Sequence, residues 1–62
     1  MVQFHLSQLP VNTIFRVSDD SRSLPFYRGR FVGSRNKIKC RSVYDHVVRY
    51  FDSELLVYIY PD

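Results

Sequence analysis

The chain has 62 residues, 45% hydrophobic and 24% charged, with one cysteine and a net charge of +3. This is one domain near the lower limit of unaided folding, with no disulfide within the chain and too few cysteines for a zinc knuckle. No apolar run approaches the ~18 residues of a membrane span, and no basic leader precedes an apolar stretch, so a soluble cytoplasmic protein is expected.

The opening segment FHLSQLPVN places Phe4, Leu6 and Leu9 where either one helical turn or an extended arm would cover one end of a core. TIFRV, Thr13 to Val17, is rich in β-branched and aromatic residues and reads as a strand. SDDSRS follows as a polar loop, in which Asp19 and Asp20 beside Ser18 and Ser21 suit a turn or Asx cap. A binding loop at a barrel mouth is the alternative use of that acidic pair. Pro25 then restricts the entry to FYRGRFV, Phe26 to Val32, a second strand in which Gly29 marks a bulge or close backbone approach. GSRN is a turn, KIKCRSV a third strand, HVVRYF a fourth after a YD turn, and ELLVYIY a fifth after a DS turn.

One rival reading exists. Apolar residues at 43, 44, 47, 48, 51 and 55 fit a helical stripe from Val43 to Leu56. The β-branched and aromatic content of that segment favours strands. Five short strands joined as hairpins predict an all-β fold, a small antiparallel barrel or strongly curved sheet, because closure removes exposed edges. LPVNTIFRV near the start sets a short lead-in and turn before a strand. RYFDSELLVY near the end sets an aromatic-Asp turn before the closing strand. In these features the chain resembles the small Src-homology-3-like β-barrel proteins frequent among phage-encoded genes. The resemblance implies a small binding module, acting in the host cytoplasm if phage-encoded.

Charge is segregated along the chain. Ser21 to Tyr44 holds seven Lys or Arg and no acid, while residues 1–20 sum to −1 and residues 45–62 to −3. With a four-residue turn at Gly33 to Asn36, Val32 faces Lys37, Phe31 faces Ile38, Arg30 faces Lys39, Gly29 faces Cys40 and Arg28 faces Arg41. Side chains alternate across a sheet, so Phe31, Ile38 and Cys40 turn inward. Arg28, Arg30, Lys37, Lys39 and Arg41 form an outer ladder of like charge. Such a ladder costs up to ~1 kcal/mol per directly opposed pair. Salt, a neighbouring carboxylate at Asp45, Asp52 or Glu54, or a bound polyanion would offset that cost.

The bland reading is a solvated outer face. The functional reading is contact with nucleic-acid phosphates, RNA or DNA, by Arg28, Arg30, Arg35, Lys37, Lys39 and Arg41. Tyr27, Tyr44 and Tyr50 would supply stacking platforms, or would simply rim the core. The alternative partner is an acidic patch on a larger cellular protein, with this chain as a small phage-type regulator or inhibitor. Catalysis is not expected. Cys40, Asp45 and His46 invite a nucleophile and base, but Cys40 falls on the inward face. His5 and His46 have no metal-ligand spacing with Cys40 or each other, so no metal or cofactor is expected. The closing run LLVYIY is read mainly as core. An uncovered edge there would make a homodimer through the C-terminal strand the expected consequence.

Overall fold

The computed structural model describes residues 2–20, 22–33 and 36–60. Seven short strands form one antiparallel sheet curled into a half-barrel: β1 (Gln3–His5), β2 (Ile14–Arg16), β3 (Phe26–Tyr27), β4 (Phe31–Val32), β5 (Lys37–Ser42), β6 (Val48–Asp52) and β7 (Leu56–Ile59). The expected all-β curved sheet is present, and the segment with the helical stripe folds as a turn followed by β6. The opening segment supplies both of the shapes open to it. Phe4 extends in β1, and Leu6–Gln8 form a single 3-10 turn.

Neighbours run β1-β7-β2-β3-β5, with β4 beside β3 along the same flank of β5 and β6 on its other flank. β7 is therefore hydrogen-bonded on both sides, to β1 through Leu56, Val57 and Tyr58 and to β2 through Tyr58 and Ile59. The closing strand is an interior strand, so the free edge on which a C-terminal homodimer was premised is absent.

β5 makes the inward and outward faces legible. Its residues alternate exposed and buried, with Lys37, Lys39 and Arg41 outside and Ile38, Cys40 and Ser42 inside. The inner set joins Leu6, Leu9, Phe15, Phe26 and Val57 in one core, with Phe51, Leu55 and Ile59 packed against it. Three rings organise the centre. Phe15 stacks on Phe26 at 5.9 Å, and Phe51 meets Phe26 edge-on at 5.1 Å and Phe15 at 5.9 Å. Aromatic pairs in such geometries add ~0.5–1.5 kcal/mol beyond burial, a useful share for so small a core. Cys40 is buried, as its place in the alternation predicted.

The second predicted strand is broken in two, and the break changes the register. Phe31 pairs with Ile38 and Val32 with Lys37, as expected from the turn. Beyond the break, Tyr27 pairs with Arg41 and Phe26 with Ser42. Four steps on one side thus match three on the other, which is a β-bulge across Arg28, Gly29 and Arg30. A slip of one residue exchanges the two faces. Arg28 consequently leaves the outer ladder and is buried, at 5% exposure, and the expected Arg28–Arg41 and Gly29–Cys40 pairs are replaced.

The bulge has visible causes. The N–H of Arg28 donates to the carbonyl of Thr13 (2.8 Å), and the N–H of Asn12 donates to the carbonyl of Arg28 (2.7 Å). This residue thus pairs with the turn before β2 instead of with β5. Lys39 N–H donates to the Arg30 carbonyl at 2.9 Å, which resumes the ladder one residue later. A Cβ on Gly29 would lie 1.8 Å from the Lys39 carbonyl oxygen. Only glycine allows the two backbones this approach.

Candidate functional site

The outer face of β5 and its neighbours reads as three cross-strand rows. Val32, Lys37 and Asp52 make the first, and Tyr27, Arg41 and Val48 the last. Between them Lys39 lies opposite Tyr50, with exposed Arg30 joined to Lys39 through the backbone. The structure thus brings Arg30, Lys37, Lys39, Arg41, Tyr27 and Tyr50 onto one surface. The guanidinium of Arg41 lies over the Tyr27 ring at 5.5 Å, so the half-buried ring positions the cation above it.

The carboxylates nearest this face hydrogen-bond within their own turns and form no ion pair with its cations among the described residues. Asp52 lies opposite Lys37, yet its Oδ1 accepts the N–H of Glu54 at 2.9 Å. Asp45 accepts the N–H of Val47 at 3.2 Å. The Ser42 hydroxyl and that N–H hold the Asp45 carboxyl below its usual range, with a smaller contribution from the Arg49 charge. Glu54 accepts from the Ser7 hydroxyl at 3.4 Å and lies 3.8 Å from His5. Asp20 is tied to Arg22 at 3.1 Å in the local turn expected of SDDSRS. Among the described residues no ion pair engages Arg30, Lys37, Lys39 or Arg41.

The bulge opens a cleft of about 310 Å³ on this surface. Tyr27, Arg28, Gly29 and Arg30 line it from the bulged strand, and Lys39 and Arg41 from β5. Asn12 and Val48 also line it, and sequence reasoning singled out neither. A signal for Asn12 existed. The residue type was that signal, since asparagine before a strand suits a left-handed turn, and its φ is 75°. No carboxylate lines the cleft among the described residues.

Arg28 is the buried charge beneath this surface. Its guanidinium lies over the Phe31 ring at 5.1 Å, and its Nη1 donates to the Gly29 carbonyl. Its Nε has no hydrogen-bond partner, and no described carboxylate pairs with it. Phe31 was expected inside; it shares the inner face with Ile38 but is 41% exposed at the sheet edge, where Arg28 covers it.

Tyr44 is not part of the cluster. It sits in the turn between β5 and β6, and the neighbouring Tyr60 raises its pKa. Arg35 lies outside the described residues. Burial pushes the Cys40 thiol up, opposed by smaller effects of the Gly29 backbone and the Arg28 charge. His46 occupies a turn with a φ of 60° and is exposed. Comparison with family models, curated proteins and solved structures finds no match.

Proposed function

We propose that this chain is a non-enzymatic binding module whose outer β5 face contacts nucleic-acid phosphates. The observation that carries the reading is a row of exposed cations, Lys37, Lys39 and Arg41, with Arg30 alongside, that no ion pair engages among the described residues. Phosphate contacts would relieve the mutual repulsion of that row and release counterions on binding. Tyr50, 58% exposed opposite Lys39, supports a stacking role for an unpaired base.

The test is a salt titration of binding to single- and double-stranded oligonucleotides. With about four phosphate contacts on a single strand, affinity should fall roughly fifty-fold between ~50 and ~200 mM salt. Arg30→Glu/Lys39→Glu should abolish binding while thermal stability stays within ~0.5 kcal/mol, since both side chains are exposed. Absence of binding at ~50 mM salt would remove this reading. A second reading, docking on an acidic patch of a larger cellular protein as a small phage-type regulator, draws on exposed Val48 beside the cations. It differs in its mutational pattern, since loss would concentrate at one or two anchors and not accumulate across the cations.

A further inference from the structure

The cleft at the bulge differs from the rest of the basic face, and its role rests on the phosphate reading above. Along β5, Lys37 has Asp52 across the ladder. At the cleft, Arg28, Arg30, Lys39 and Arg41 all border one opening, with no described carboxylate in its lining. The buried Arg28 guanidinium hydrogen-bonds the carbonyl of Gly29, itself a lining residue. Arg28 is shielded from solvent and unpaired with any described acid, so its charge acts across a medium less screening than water. Uncompensated buried charge is costly, and an anion in the adjoining cavity would offset that cost.

Charge and size then select the anion. An internal phosphodiester carries one negative charge, whereas a terminal phosphomonoester carries ~1.5–2 at pH 7, with a second pKa of ~6. A cleft with four cationic residues in its lining, Arg28, Arg30, Lys39 and Arg41, favours the greater charge. About 310 Å³ lies at the lower end of small-ligand sites, ~300–1,000 Å³. That is room for a phosphate with part of its sugar. Arg41 is already held over Tyr27, so less freedom is lost when it engages a ligand. We propose that the cleft holds the terminal phosphate of a nucleic-acid strand, with the following nucleotides running over the Lys39–Tyr50 row.

The test compares short single strands ending in a 5′-phosphate, a 3′-phosphate or hydroxyls only, by fluorescence anisotropy at fixed salt. A phosphorylated end should bind about tenfold tighter, the scale of one charge-assisted hydrogen bond. The advantage should shrink as pH falls from ~7.5 to ~5.5 through the second phosphate ionisation. Lys39→Gln and Arg41→Gln should erase it. Lys37→Gln, on the same face but outside the cleft, should weaken all strands alike and keep it. Equal affinity for all three ends would overturn the cleft assignment while leaving the face intact. If no strand binds at ~50 mM salt, the cleft assignment falls together with the phosphate reading. Where strands do bind, an NMR titration with a nucleoside 5′-monophosphate should shift Gly29, Arg30, Lys39 and Arg41, and no shifts there, or equal binding of inorganic phosphate, overturn the cleft assignment.

Discussion

A methyl group at Gly29 would meet the Lys39 carbonyl oxygen at 1.8 Å, whereas one at Gly33, where φ is +59°, would meet nothing within 4 Å. The two glycines therefore fail differently. Gly29→Ala must force two backbones apart, and we expect a loss of about 3 kcal/mol, the upper end for an inserted methyl. That is a large fraction of the roughly 3–9 kcal/mol available to a domain of this length. Gly33→Ala pays only for its left-handed conformation, ~1 kcal/mol. Urea denaturation of both variants measures the difference, and equal losses would contradict the close approach. The importance of Gly29 was legible in the sequence, since a glycine within a strand signals a bulge or a near backbone. The burial of Arg28 was not. It depends on Asn12 and Thr13 capturing its backbone, and that is a contact across the fold.

Titration at single residues also predicts how stability varies with pH. Hydrogen bonds from Arg22 hold Asp20 below the ordinary 3.8, and the nearby Ser42 hydroxyl and the Val47 N–H do the same for Asp45. The unfolded chain then binds protons more readily in acid, so this stabilisation is present above pH ~4 and is lost as pH falls further. Cys40 shifts the other way, raised by burial from an ordinary 9.0. Its unfolded thiol ionises first, so stability is present below about pH 9 and declines above it. Thermal melts across the range should show a plateau between these limits. In Cys40→Ala the alkaline decline should diminish while the acid limb stays in place.

Among the elements, β5 was the most readable, because KIKCRS alternates charge with apolar or small residues and pairs on both flanks. HVVRYF was placed as a strand, but His46 takes a left-handed turn and β6 begins at Val48. β1 was one of two shapes considered, because three residues are too short for a periodic signal. At the scale of the ladder, Lys39 lies next to Arg30 with no described ion pair to relieve the repulsion. Lys39→Gln should therefore raise stability by a few tenths of a kcal/mol while weakening oligonucleotide binding. Opposite signs in a denaturation curve and a binding curve would mark a residue retained for contact. A loss of stability would instead make Lys39 structural.

For the whole molecule, carboxylates bound into local turns leave the cationic face unbalanced, and the half-barrel presents that face outward. The curled sheet itself was anticipated from five strands and their turns. The split of the second strand and the cleft were not, since both follow from a single inserted residue. The pairing of Gln3 with Tyr58 has its own consequence. The first and last strands lie side by side, so the route by which the chain visits its strands is separable from the arrangement they reach. A circularly permuted chain, cut between Asp45 and His46 and joined from Tyr60 to Val2 by a short flexible linker, should keep every strand pair. Cross-strand amide contacts in its NMR spectrum would verify this, and their loss would show that connectivity, and not side-chain complementarity, holds the half-barrel shut.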